Sequence, residues 1–342
     1  MPTHPPTGWT FALPDDQIAR RPTSVRSGSR LLCLGRVTGS PAHNQFVDLP
    51  THLSPGDLLV VNDVTVMAAR LRAKRASGGA VELLVLDPGP GAVRALARPA
   101  KKLRAGDVLT LSDGSRATIV APAQQGVVSL RTDDPIAEVM RRSGELPLPP
   151  YMDRPAEPSD TDRYQTVFGG PLGAAAAPTA GLHFDAPLLQ HLGSAGVRLA
   201  RLTLYVGLGT FLPLRPEQIA AGRLHVERYD IPGATVEAIA QTRAGGGRVV
   251  AVGTTSARAL EAATLTAGGL PTTGPGSTDL FIQPPYDFRA IDGLITNFHL
   301  PGSSLLMLVG ALVGRSRLLA AYDCAVRTGY RFYSYGDAML IL

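Results

Sequence analysis

Residues 234–266 read ATVEAIAQTRAGGGRVVAVGTTSARALEAATLT. A helical stretch over 234–244 meets three glycines that stop it, and a short Val/Ala run over 248–252 follows with the look of a buried strand. A glycine and three hydroxyl residues then lead into a second helix over 255–266. The same alternation continues on both sides: helix 185–193 and strand 197–205 precede it, and strand 292–296 and helices 303–314 and 316–327 follow. Strands alternating with helices imply a mainly parallel sheet covered on both faces, so the main domain is expected to be α/β.

The remainder has a different texture. Residues 1–60 suggest a short helix near Asp15 to Ala19, a strand over 30–34, a helix or turn leading to Pro55-Gly56-Asp57, and a strand over 58–61 ending at Asn62-Asp63. From Met67, short Val/Leu/Ala runs (67–73, 80–86, 92–97, 108–111, 117–120, 126–130) alternate with Ser77-Gly78-Gly79, Asp87-Pro88-Gly89-Pro90-Gly91, Ala105-Gly106-Asp107 and Ser112-Asp113-Gly114. Turn signals at that interval indicate a small antiparallel β-barrel. A helix capped by Asp134, with Pro135 at its first position, is expected to reach Ser143. Pro147, Pro149, Pro150 and Pro155 then mark a rigid connector. The expected organisation is a discontinuous α/β domain (1–62 and 148–342) with an inserted barrel domain (63–147).

Length and a 44% hydrophobic content suit a globular protein with a substantial core. No apolar run reaches the roughly 18 residues of a membrane span, and the N-terminus lacks the layout of a signal peptide, so a cytoplasmic location without membrane association is expected. Cys33 and Cys324 stand far apart with no Cys/His cluster, which argues against a disulfide framework and a zinc site; no metal and no bound cofactor are expected. The net charge is +5, but between Arg70 and Arg104 nine basic residues face two acidic ones, a net +7. Arg70, Arg72, Lys74, Arg75, Arg98, Lys101 and Lys102 are therefore candidates for contact with a polyanion such as RNA, and a solvated basic face without a partner is the alternative.

Three loops have the form of ligand sites beyond strand ends. Residues 177–184, APTAGLHF, bring Thr179, Gly181 and His183 to the start of a helix capped by Asp185. After strand 248–252 come Thr254, Thr255 and Ser256, with Arg258 one turn on. After strand 292–296 come Asn297, His299, Ser303 and Ser304. Glycine permits close approach, and hydroxyls with free N–H groups at a helix start suit a carboxylate or phosphate. Gly209 and Thr210 form a further close-approach loop. His183, His225 and His299 are candidate proton carriers because imidazole titrates near neutrality; a structural hydrogen bond is the alternative for each. His225 and Glu227 would share one face of a strand. Asp337, in an apolar tail, requires a partner, whereas Tyr330, Tyr333 and Tyr335 suggest core packing. No GxxxxGK[ST], GxSxG or HExxH motif occurs.

The strings APTAGLHF (177–184), VGLGTF (206–211), VGTTSARALE (252–261), TNFHLPGSSLLMLV (296–309) and YRFYSYGDAMLI (330–341) resemble those of the S-adenosylmethionine:tRNA ribosyltransferase-isomerases of queuosine biosynthesis. So do SRLL (29–32), PGDLLVVND (55–63), SGGAVELLVL (77–86), PLPPY (147–151) and YQTVF (164–168). The resemblance implies an α/β domain with an inserted barrel. It also implies transfer and isomerisation of the ribosyl unit of the co-substrate S-adenosylmethionine onto 7-aminomethyl-7-deazaguanine in tRNA, giving epoxyqueuosine, adenine and methionine.

Under that reaction His183 or His299 is assigned as proton carrier and Glu227 as a second acid–base group. Thr179, Gly181, Gly209, Thr210, His225, Thr254, Thr255, Ser256, Arg258, Asn297, Ser303 and Ser304 are assigned to the substrate, and a monomer is expected. The chain departs from the usual family pattern at Thr65, Ala68, Tyr205, Val226 and Gly302-Ser303-Ser304. A paralogue with a small 7-deazapurine-like acceptor is the second hypothesis, and a non-catalytic RNA-binding protein the third.

Overall fold

The computed structural model describes residues 8–87, 92–207, 216–265 and 269–342. Its strands and helices run in the order β1 (Arg30–Leu34), β2 (Ala42–Gln45), β3 (Leu58–Asn62), β4 (Thr65–Val66), β5 (Arg70–Arg75), β6 (Ala80–Asp87), β7 (Val93–Arg98), β8 (Val108–Leu111), β9 (Arg116–Gln124) and β10 (Val127–Thr132). There follow α1 (Ile136–Ser143), α2 (Asp160–Arg163), β11 (Leu172–Ala174), α3 (Ala186–Ser194), β12 (Arg198–Tyr205), α4 (Pro216–Ala221), β13 (Arg223–Ile231) and α5 (Gly233–Ala244). The last are β14 (Val249–Val252), α6 (Thr254–Thr264), β15 (Gly274–Leu280), β16 (Gly293–Asn297), α7 (Ser304–Val313), α8 (Arg315–Arg327) and β17 (Ala338–Ile341).

Nine strands form one sheet in the order β15-β13-β12-β3-β14-β16-β17-β1-β2. Its centre, β12-β3-β14-β16, is parallel throughout, and β3, β14 and β16 are buried along their whole length. Alternate side chains serve opposite faces. Leu58, Val60, Val249 and Ala251 join the core made with α6, α7 and α8, whereas Leu59, Val61, Val250 and Val252 pack with Phe46, Phe184, Leu188 and Leu192 on the other side. The first 62 residues thus supply a central strand and, through β1 paired with β17, one wing.

Both wings contain antiparallel pairs. Of the strands that make them, β2, β13 and β15 lack the continuous apolar run that marks a central strand. β15 is GPGSTDL, with glycine and proline tolerated because it lies at an edge.

Between Arg70 and Thr132 the chain closes a six-stranded barrel, β10-β7-β6-β5-β8-β9, antiparallel at every pair. It has a core of its own, into which α1 inserts Ile136, Val139 and Met140. Asp134 does not cap α1, contrary to expectation. Pro135 occupies the cap position without a side-chain bond, and the Asp134 carboxylate accepts from Arg142 at 2.6 Å. Asp185 does cap α3, accepting from the Leu188 amide at 3.0 Å. The helix expected near Asp15 is a single 3-10 turn, Asp15–Gln17. Among the described residues no single helix is long and apolar enough to cross a membrane, and α7 and α8 meet at a 113° bend. His4 and the turn at 88–91 lie outside the described residues.

Candidate active site

Because β3, β12, β14 and β16 run parallel, their carboxyl ends Asn62, Tyr205, Val252 and Asn297 lie along one edge of the sheet. The 3-10 turn Thr179–His183 packs there against β16. Gly253 makes the junction possible. Its φ of +91° opens α6, and a Cβ at that position would stand 3.5 Å from the Ala180 Cβ. Gly181 is equally constrained, since a Cβ would meet Thr166 Cγ2 at 2.8 Å.

His183 is 4% exposed and stacked on Phe46 at 4.9 Å between centroids. The Asn297 amide NH₂ lies among three acceptors, His183 Nε2 at 3.1 Å, the Tyr333 carbonyl at 3.0 Å and the Ser334 carbonyl at 3.4 Å. Those neighbours fix the amide orientation and therefore the tautomer. His183 Nε2 accepts, and Nδ1–H donates to Ser29 Oγ at 2.7 Å. Burial, reinforced by the charge of Arg331, pulls the imidazole down to about 3. His299 is buried to a similar degree, pairs Nε2 with Thr296 Oγ1 at 2.7 Å, and donates its backbone N–H to the Tyr322 hydroxyl at 2.9 Å. Burial brings it to about 3 as well. Both histidines are neutral near pH 7.

Across α6 lies a second group. Glu227 and Arg258 form a buried ion pair, and Glu227 also accepts from the Gly207 amide at 3.1 Å. Arg258 Nε donates to the Leu280 carbonyl at 3.1 Å. His225 and Glu227 alternate along β13 with exposed Val226 and Arg228, so they share a face as expected. Ser256 Oγ donates back to the Val252 carbonyl at 2.8 Å, and Ser303 caps α7 by accepting from Leu306 N at 3.2 Å; both hydroxyls serve their own helices. Thr254 is buried, while Thr179 and Ser304 are half-buried. Gly209 and Thr210 lie outside the described residues.

Four buried polar atoms near this edge have no hydrogen-bond partner among the described residues: Asn297 Oδ1, Thr255 Oγ1, Arg258 Nη2 and His225 Nε2. Buried polar groups are nearly always paired, so unpaired ones beside the carboxyl ends of the strands are candidates to bond a ligand's polar atoms. Next to His183 a cleft enclosing about 240 Å³, open solvent included, is lined by Arg26, Arg163, Leu182, His183, Ser334 and Tyr335. No group of three His, Cys, Asp or Glu residues among the described ones is arranged to hold a metal ion.

On the barrel, Arg72, Lys74, Arg98, Lys101 and Lys102 are exposed and Arg70 and Arg75 half-buried. Arg72 pairs with Glu82 and Glu145, each at 3.2 Å, and Arg70 approaches Glu82 at 3.8 Å. Lys74, Arg98, Lys101 and Lys102 have no ion pair among the described residues.

Asp337 finds its partners in the Arg30 and Arg331 amides, at 2.9 and 2.8 Å. Tyr330 and Tyr335 are core residues, as expected. Tyr333 packs against that core while itself only half-buried, and its φ of +74° is a strained conformation costing roughly 1–3 kcal/mol for such a residue. Ser29 and Phe46, which hold His183, carry no local signal in the sequence because they lie more than 130 residues from it. Of the departures from the family pattern, Thr65 donates its hydroxyl to the Gly170 carbonyl at 3.0 Å. Val226 is 66% exposed on the face of β13 opposite Glu227.

The chain matches the family model described as Queuosine biosynthesis protein over residues 7–341. It is 49% identical over 339 residues to the S-adenosylmethionine:tRNA ribosyltransferase-isomerase of Anaeromyxobacter sp. (strain K), covering 97% of each chain. To the enzyme of the same name from Pelobacter propionicus it is 50% identical over 336 residues, covering 97% of this chain and 98% of that one. A crystal structure of the S-adenosylmethionine tRNA ribosyltransferase from Thermotoga maritima is similar with a TM-score of 0.57 and 33% identity, covering 98% of this chain and all of that one.

Proposed function

The chain belongs to the queuosine biosynthesis protein family, and from that membership we propose that it transfers and isomerises the ribosyl moiety of S-adenosylmethionine onto 7-aminomethyl-7-deazaguanine in tRNA. The products are epoxyqueuosine in tRNA, adenine and methionine. It acts as a monomer in the cytoplasm, where its tRNA is, with residues 63–147 as an inserted unit that carries tRNA contacts and 1–62 with 148–342 as the catalytic unit. The observation that carries this reading is the set of buried atoms unpaired among the described residues, Asn297 Oδ1 at the end of β16, Thr255 Oγ1 and Arg258 Nη2 on α6 and His225 Nε2 on β13.

The chemistry fits two buried neutral imidazoles. A sulfonium acidifies the adjacent 5′ carbon, and a neutral histidine, His183 or His299, takes that proton. The same burial that makes the resulting imidazolium a strong acid, able to pass its proton to the departing adenine, makes the neutral ring a weak base, so removal of the carbon proton is the more demanding half of the transfer. The acceptor amine then attacks, and methionine leaves as the epoxide closes. Glu227, fixed by Arg258, is the second acid–base candidate, while Thr179, Thr254, Thr255 and Arg258 face the polar and anionic groups of the donor.

Of the departures from the family pattern, Val226 is exposed and turned away from Glu227 and Thr65 is bonded to Gly170, whereas Tyr205, Ser303 and Ser304 lie at the strand edge itself, so the acceptor is decided by experiment. Incubation with S-adenosylmethionine and tRNA bearing 7-aminomethyl-7-deazaguanine is expected to yield epoxyqueuosine after nuclease digestion. Product formed only with the free 7-deazapurine would identify the paralogue, and no product with either acceptor would overturn the function. Replacement of the true base, by His183→Asn or His299→Asn, is expected to lower turnover by roughly 10²- to 10⁴-fold; full turnover in both variants would remove histidine from the proton transfer.

A further inference from the structure

Tyr333 stands apart from its neighbours in the run YRFYSY. Tyr330 and Phe332 are fully buried and Tyr335 is 4% exposed, yet Tyr333 is half-buried, and its hydroxyl makes no hydrogen bond among the described residues. Its left-handed φ of +74° is a conformation that bulky aromatics rarely adopt. Three bonds hold it there. Its amide donates to the Phe298 carbonyl at 3.1 Å, and its carbonyl accepts from Gly336 N at 2.9 Å and from Asn297 Nδ2 at 3.0 Å. Asn297 is the residue that bonds His183, so the strain is maintained by the candidate active site itself.

The ring is backed by Tyr151, from the proline-rich connector. The two ring centroids are 4.0 Å apart, closer than any other aromatic pair in the described residues. Tyr151 is locked by its hydroxyl, which bonds Ser334 Oγ and accepts from Ser334 N at 3.1 Å. One tyrosine is therefore anchored, and the other is propped on it with a partly open ring, its backbone carbonyl bonded to the Asn297 amide that also reaches His183. A preset aromatic face is a stacking surface for a flat heterocycle, and it accepts any base because every base has a π face.

We infer that Tyr333 is a stacking residue for a purine-type ring, with Tyr151 positioning it. The inference rests on the proposed reaction, whose donor carries adenine and whose acceptor carries a 7-deazaguanine. Both rings have the chemistry Tyr333 would recognise, and the experiment separates them.

Full-length Tyr333→Phe and Tyr333→Asn are compared with wild type, asparagine being tolerant of the left-handed region. Calorimetry with S-adenosylmethionine reads the donor arm, and KM for tRNA bearing 7-aminomethyl-7-deazaguanine reads the acceptor arm. Tyr333→Phe keeps the ring and is expected to match wild type in both. Tyr333→Asn is expected to weaken one arm roughly ten- to a hundredfold, the range for loss of a stacked base, with kcat at saturation within about twofold. A weaker Kd identifies adenine as the stacked ring, and a raised KM with unchanged donor affinity identifies the acceptor base. Tyr333→Gly, which also relieves the backbone, repeats the test should the asparagine variant not fold. Wild-type affinity in both arms without the ring would overturn the inference, as would equal losses in the phenylalanine and asparagine variants. If wild type neither binds the donor nor turns over the tRNA, the reaction itself is wrong and the inference falls with it; a fully active wild type with an unaffected Tyr333→Asn rejects the stacking residue alone.

Discussion

His183 and His299 are held neutral by burial at about 3, against about 6.5 in an unfolded chain. As pH falls below 6.5 the unfolded chain takes up protons that the folded one refuses. Their contribution is therefore complete above pH 6.5 and is lost progressively towards pH 3, at about 1.4 kcal/mol per pH unit per histidine. The urea midpoint is expected to drop between pH 7 and pH 5, and His299→Asn to remove its share of that slope. An unchanged midpoint over this interval would show that the imidazoles are not buried neutral. At this scale the sequence identified His183, Thr255, Arg258 and Asn297 through hydroxyl, amide and charged types clustered after strands. It did not disclose that Ser29 and Phe46 hold the His183 ring, because neither composition nor periodicity encodes a contact over such a separation. The left-handed turn at Tyr333 was also hidden, since a tyrosine is among the residues least expected there.

The joint between β14 and α6 depends on Gly253, whose +91° φ lets the helix start beside the Thr179–His183 turn. Gly253→Ala is expected to destabilise the protein by about 1–3 kcal/mol, measured by urea unfolding, and to weaken donor binding because Thr254 and Thr255 move with the first turn. An unaltered stability would mean that the turn accommodates a side chain. A second close approach lies where a Cβ on Gly310 of α7 would fall 2.4 Å from the ring of Trp9, the sole tryptophan. Gly310→Ala is expected to displace that ring and shift its fluorescence to the red, whereas an unshifted spectrum would contradict the packing. Central strands and barrel strands were legible because continuous apolar runs and regular turns mark them. The wing strands β2, β15 and β17 carry weaker marks: β2 is short and mostly polar, β15 is rich in glycine and polar residues, and β17 is only four residues long. Asp134 at α1 is a similar case, a good capping residue diverted by Arg142.

Three cores, one in the barrel and one on each face of the large sheet, separate the proposed duties of the molecule. The basic segment was plain in the sequence, but its pairing was not, and Glu82 with Glu145 neutralises part of it at Arg70 and Arg72. Binding of tRNA is accordingly expected to depend on Lys74, Arg98, Lys101 and Lys102. Alanine at all four should raise KM for tRNA and flatten its salt dependence by up to about one phosphate contact per residue removed, leaving donor affinity intact; an unchanged salt slope would move the tRNA surface elsewhere. The assignment of the strand edge to the donor is tested most directly by calorimetric titration of S-adenosylmethionine into wild type and Thr255→Val. The Thr255 hydroxyl is buried and bonds nothing among the described residues, so its loss should leave the thermal midpoint unchanged. Donor affinity is predicted to fall about tenfold, the cost of one lost hydrogen bond of roughly 1–1.5 kcal/mol. Equal affinity in the two proteins, or no binding by wild type, would contradict the assignment of this strand edge to the sulfonium donor.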